Sequence, residues 1–166
     1  MKLRKLMRKD APYMLEWMHD VSVVENLQAN FLSKTIKDCE EFIESAQNDD
    51  KNMHLAVVDQ DDIYMGTVSL KHIKNKSAEF AITVRNLAMG KGYSKFAMEK
   101  IIRIGFEELG LDTIYWCVSR ENKRAIHFYD KNEYQRIAIN CLDVKVSGYT
   151  EDQMIQYLWY QQKKVD

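Results

Sequence analysis

Proline is almost absent from this chain, with Pro12 the single example among 166 residues. No Pro-, Gly- or Ser-rich stretch reads as a linker, and no repeat or low-complexity tract appears. Residues 1–166 are therefore expected to form one domain, long enough to bury a sizeable core. Cysteine is scarce too. Cys39, Cys117 and Cys141 are odd in number, far apart, and lack any metal-ligand or redox spacing. Reduced thiols in a cytoplasmic protein, with no metal, are the simplest reading. Net charge is missing as well: 24 Lys and Arg stand against 25 Asp and Glu, giving −1. That balance provides no strong field for polyanions, so no nucleic-acid partner is expected. Apolar runs are only a few residues long, too short to span a bilayer. Residues 1–6 lack the sustained apolar core of a secretion signal.

The two familiar phosphate-loop patterns are absent. A Walker loop would need Gly at Arg85 and Ser or Thr at Gly92, and a Rossmann fingerprint would need Gly at Lys95. What the chain has instead is an apolar-rich strand over 77–84, a short polar loop, and Gly90 and Gly92 opening a long amphipathic helix. The first N–H groups of such a helix lack intrahelical partners and the dipole adds positive charge. Glycine lets an anion come close to the backbone. This pattern fits a pyrophosphate, although a plain turn before a helix has the same spacing.

Around that centre the periodicities predict strands at 2–7, 54–58, 63–73, 77–84, 113–118, 134–142 and 153–161, with 143–152 a loop. They predict helices from a cap at Asp10 to about His19, over 21–29 and 35–46, from about 91 to 109, and over 122–131. In the long helix Met98, Ile101, Ile102, Gly105, Phe106 and Leu109 share a face, Gly105 permits close approach to a sheet, and Gly110 is a C-cap. The element order implies a mixed sheet flanked by helices, an α/β (α+β) chain.

Two further motifs complete the picture. Met89, Gly92 and Ser94 fall on an Arg/Gln-x-x-Gly-x-Gly/Ala pattern at the helix start. Asn122, Ala125, Tyr129, Glu133 and Tyr134 fall on Asn-x-x-Ala-x-x-x-Tyr-x-x-x-Gly-Phe. Together with the strand before the loop, these resemble the GNAT family of acetyl-coenzyme A-dependent N-acetyltransferases. The opening, residues 3–20, looks like the branch that includes ribosomal-protein acetyltransferases. Met89, Ser94 and Glu133 depart from the family pattern, but none removes a backbone donor. The resemblance implies a six- to seven-stranded, mostly antiparallel sheet whose two central parallel strands splay apart in a V that admits the cofactor.

It also implies roles. The backbone of Ile82, Thr83 and Val84 would pair with the pantetheine arm, while their side chains are ordinary core. Met89, Gly90, Lys91, Gly92, Tyr93 and Ser94 would donate N–H groups to the pyrophosphate. The Lys91 side chain adds charge or is simply solvated. Asn122 caps its helix, touches the cofactor arm, or both. Asn122 and Tyr129 lie seven residues apart, about two helical turns. Tyr129 would protonate the departing thiolate, or is a core tyrosine beside Phe128. Glu79 would take the proton of the acceptor ammonium, or is a structural glutamate, with His72 a weaker base candidate. The cluster 120–124 reaches the 3′-phosphate or is a solvated loop. The aromatic tail 157–160 packs into the sheet or walls the acceptor pocket. No Cys or Ser stands in a nucleophile pattern, so direct attack by the amine is expected.

The reading is thus an acetyl-CoA-dependent N-acetyltransferase acting on a small-molecule amine such as a nucleotide-linked amino sugar. A protein N-terminal amine, a polyamine or an antibiotic as acceptor stays open, as does a non-catalytic acyl-CoA-binding or interaction module. Oligomeric state is open, a homodimer included.

Overall fold

Period-two alternation of apolar residues builds one sheet with a packed layer on each side. Along Met53–Val58 (β2), Val57 turns to one face while Ala56 and Val58 turn to the other, and all three are buried. The computed structural model describes residues 1–166 and joins seven strands. The others are β1 (Lys2–Lys5), β3 (Tyr64–Lys74), β4 (Ser77–Val84), β5 (Thr113–Ser119), β6 (Arg136–Ile137) and β7 (Tyr157–Lys163). Their spatial order is β1-β2-β3-β4-β5-β7-β6. Every pairing is antiparallel except β4 with β5. The mixed sheet expected from the element order, and the mostly antiparallel arrangement that the resemblance implies, are both observed.

Helices α1 (Ala11–Met18), α2 (Val21–Val24) and α3 (Ile36–Ser45) cover one face through Met14, Trp17, Cys39 and Ile43. On the other face lie α4 (Tyr93–Arg103) and α5 (Lys123–Lys131). Gly105, just after α4, has the close approach expected of it: a Cβ there would meet Ile114 Cδ1 at 2.9 Å, so the helix sits hard against the sheet. One expectation on this helix fails. Residues Ile104–Glu108 form a π turn, whose extra residue rotates the chain beyond it, so Leu109 is exposed and Leu111 fills the core instead.

Three other expectations are corrected. Asp10 precedes α1 but does not cap it. Its carboxylate accepts from Met7 N at 2.8 Å and is gripped by both Arg4 terminal nitrogens. The strand expected at 134–142 shrinks to Arg136–Ile137, followed by a 3-10 turn over Ile139–Cys141. The strand expected at 153–161 begins only at Tyr157, because Glu151–Gln156 is a helix, α6. Thr150 and Gln153 cap it reciprocally. That Thr-x-x-Gln signature is present in the sequence, but the aromatic run after it is the stronger local signal and points to a strand. No helix is long and apolar enough to cross a membrane.

Candidate active site

The parallel strands β4 and β5 pair over only three positions, ending at Glu79 opposite Tyr115. Beyond this point β4 stays with β3 as far as Val84, and β5 stays with β7 as far as Ser119. The sheet therefore opens into a V with Glu79 and Tyr115 at its apex. Antiparallel geometry fixes which main-chain groups face the gap. Arg85 N donates to Met65 O at 2.8 Å, so the alternate residues Thr83 and Ala81 also turn their backbone groups to β3. Phe80, Ile82 and Val84 turn theirs toward the gap. Of the three strand residues singled out from sequence, Ile82 and Val84 present backbone to the gap and Thr83 does not.

At the mouth of the V the chain makes a 3-10 turn over Asn86–Ala88 and enters α4. Gly90 and Gly92 hold φ of 73° and 88°, the left-handed region that glycine adopts without strain. The N–H groups of Gly90, Gly92, Tyr93, Ser94 and Lys95 find no acceptor within the protein. Five free donors at the positive end of an eleven-residue helix can bind a pyrophosphate. Met89 and Lys91 contribute no such donor, since their N–H groups bond Asn86 O and Ala88 O. The Met89 side chain packs inward, against both the α1–α3 layer and a small cluster around Met65 and Val84.

Sequence reasoning missed Arg85, which anchors this loop. Its buried guanidinium donates to Tyr64 O at 3.1 Å, forms a two-point pair with Glu16, and lies 4.5 Å from the Tyr13 ring centre. One side chain thus ties the start of the loop to α1 and β3.

Across the gap, Asn122 caps α5, its Oδ1 accepting from Ala125 N at 3.2 Å. The cap leaves its amide donors free. Tyr129 lies further along α5, buried among Trp116, Phe128, Tyr134 and Tyr160. Its hydroxyl bonds no protein group, yet it is not among the polar atoms sealed from solvent without a partner. Burial holds this phenol well above its ordinary pKa, so it keeps its proton. Such a group can act as an acid and not as a base.

Glu79 projects to the opposite face, toward the α1–α3 side. It is 3% exposed. Its Oε1 accepts from the Tyr149 hydroxyl at 2.6 Å, while Oε2 is buried with no hydrogen-bond partner. Lys71 Nζ stands 3.9 Å from Oε1 and His72 Nε2 stands 3.7 Å from Oε2. Gln28 and Cys117 also reach the Tyr149 hydroxyl, at 3.1 and 3.4 Å. The residues 143–152 and the segment after α2 therefore meet over Glu79. Tyr149 and Gln28 carried no sequence signal, because their partners lie 70 and 121 positions away. Burial, foremost, pushes the Cys117 thiol up to about 11, so at neutral pH it is a poor nucleophile. Of the aromatic tail, Trp159 is buried on this side and its Nε1 donates to Met154 O at 2.8 Å, pinning α6 to β7. Arg120, Glu121, Lys123 and Arg124 lie exposed beyond the end of β5.

The chain as a whole is similar to known proteins. The family description "Acetyltransferase (GNAT) domain" fits residues 1–135. The chain belongs to the GNAT acetyltransferases. It is an acetyl-CoA-dependent N-acetyltransferase. A spermidine N(1)-acetyltransferase of Escherichia coli K12 is 31% identical over 137 residues, 78% of this chain and 70% of that protein. Acetyltransferase PseH of Campylobacter jejuni is 29% identical over 94 residues, 56% and 57% of the two chains. The fold matches that of the Vibrio cholerae spermidine N-acetyltransferase solved with CoA and spermine. There the TM-score is 0.75 and the identity 21%, over 96% of this chain and 92% of that one. A Bacillus anthracis GNAT acetyltransferase gives 0.74 at 19% identity, over 97% and 93%. The family expectation holds, while these relatives do not carry the narrower likeness to the ribosomal-protein branch.

Proposed function

We propose that this GNAT enzyme acetylates a primary amine on a small molecule, in a single catalytic domain spanning 1–166, and that the amine belongs to a nucleotide-linked amino sugar. The observation that carries the reading is Glu79 Oε2, a buried carboxylate oxygen with no partner at the apex of the gap. Acetyl-CoA supplies an activated acetyl thioester. The N–H groups of Gly90, Gly92, Tyr93, Ser94 and Lys95 hold its pyrophosphate, and the free backbone edge at Ile82 and Val84 takes up the amides of its arm. The Asn122 amide adds a donor on the far wall.

Glu79 takes one proton from the acceptor ammonium, which frees the nitrogen lone pair to attack the thioester carbonyl carbon. A main-chain N–H on the open edge of β4 stabilises the negative charge that develops on the carbonyl oxygen. As the carbon–sulfur bond breaks, Tyr129 gives its phenolic proton to the leaving thiolate. The nitrogen, cationic after attack, loses its second proton through water, which restores the phenol. Glu79 passes its own proton to solvent, so one proton is released per turnover. The neutral Cys117 thiol is consistent with direct transfer and no acyl-enzyme.

One carboxylate, with Lys71 beside it and Tyr149 bonded to it, and with Gln28, Tyr157 and Trp159 gathered in turn around Tyr149, suits a single amine on a polar molecule. A polyamine would call for several carboxylates. The 31% identity to a spermidine acetyltransferase favours polyamine as the second reading. Comparing kcat/KM for UDP-glucosamine and spermidine tests the choice. A preference of tenfold or more for UDP-glucosamine supports the amino-sugar reading, and the reverse preference overturns it.

A further inference from the structure

We propose that Tyr149 is a positioning residue for transfer: its hydroxyl ties down one oxygen of Glu79 and so presents the other to the incoming ammonium. This inference rests on the reading of Glu79 as the proton acceptor. A glutamate carboxyl group turns easily about its last bond, whose torsional wells are broad and two-fold. A carboxylate free to turn would offer the amine no fixed acceptor. Here the 2.6 Å contact from Tyr149 to Oε1 is short, as expected for a hydrogen bond to a charged oxygen, and it leaves Oε2 buried and without a hydrogen-bond partner.

The direction of that bond is fixed by its surroundings. The Tyr149 oxygen accepts from Gln28 Nε2 at 3.1 Å and from the Cys117 thiol at 3.4 Å. With both lone pairs engaged, its single proton has one acceptor, Glu79. The ring is held as well, edge-on to Trp159 at 5.4 Å and to Tyr157 at 6.1 Å. The other ionisable groups facing the carboxylate are Lys71 and His72 from β3 and Tyr115 from β5. Neither Lys71 nor His72 comes within hydrogen-bond distance, so Tyr149 alone orients the group. Tyr149 belongs to the segment 143–150 and Gln28 to the segment after α2. The two regions that border the acceptor side thus meet on the atom that orients Glu79.

Tyr149→Phe keeps the ring packing and removes only the hydroxyl. Two readouts on the full chain test the proposal. The first is the infrared carboxylate band of Glu79, isolated as the difference between the native protein and Glu79→Gln. It needs no acceptor. The expected result is a shifted band in Tyr149→Phe. The second is turnover of UDP-glucosamine and of spermidine with acetyl-CoA. The expected result is a kcat ten- to a hundredfold lower with KM for acetyl-CoA unchanged. An unmoved band overturns the proposal whatever the turnover, and so does a moved band with kcat within twofold of native. If Glu79→Gln itself keeps native turnover, the reading of Glu79 as base fails. If Glu79→Gln is inactive while Tyr149→Phe is indistinguishable from native, only the positioning role fails.

Discussion

Tyr129, the proposed acid, is a side chain at which chemistry and stability can be tested apart. Its hydroxyl satisfies no buried partner, so Tyr129→Phe strands nothing and leaves the ring packed against Trp116 and Tyr160. Thermal unfolding of this variant is expected within about a degree of native. Its kcat is expected to fall about a hundredfold, the usual worth of a positioned acid. A native kcat with native stability would remove Tyr129 from the mechanism. Legibility at this scale was uneven. Tyr129, Asn122 and Gly92 stand in spaced motifs that a reader can see. Tyr149, Gln28 and Arg85 act through contacts with distant parts of the chain, and nothing local marks them.

Elements were legible where one periodicity ruled and illegible where two signals competed. The alternation of β2 and β4 and the stripe of α4 specified strands and helix directly. The π turn over Ile104–Glu108 left no trace, since the apolar spacing around it continues past the turn. The end of α5 shows how a departure from a family pattern is accommodated. Glu133 stands at the position where the pattern has glycine, and it adopts φ of 62°. The turn survives intact, with Glu133 N bonding Asp130 O and Tyr134 N bonding Tyr129 O, the double closure of a Schellman cap. A side chain in this region costs about 1–2 kcal/mol. Glu133→Gly is therefore expected to stabilise the protein by about 1 kcal/mol, roughly 2–4 °C in Tm for a domain of this size. An unchanged or lower Tm on calorimetry would show that the glutamate compensates elsewhere.

For the whole molecule, the arrangement that matters is a single sheet from residue 2 to residue 163 that splits between β4 and β5. The wing carrying β1 to β4 is fastened at its far edge by Asp62, which meets Lys9, Arg4 and Lys2. Its carboxyl is held well below the usual range, first by Lys9 and then by Arg4. A group with a depressed native pKa stabilises above its unfolded value of about 3.9 and loses that contribution as pH falls toward the native value. Asp62→Asn is expected to lower Tm at pH 7, with the gap to native closing progressively below about pH 4. A gap that stays constant from pH 7 to pH 3 would mean the ion cluster does not act through charge.

The central claim is that the V between β4 and β5, with the free donors at the start of α4, receives acetyl-CoA. Thermal unfolding with and without acetyl-CoA tests it most directly. At about a hundred times the dissociation constant, ligand binding to the native state alone adds about 2.7 kcal/mol. The expected result is a rise in Tm of roughly 5–10 °C for a domain of this size. A folded sample whose Tm moves with neither acetyl-CoA nor free CoA would contradict it.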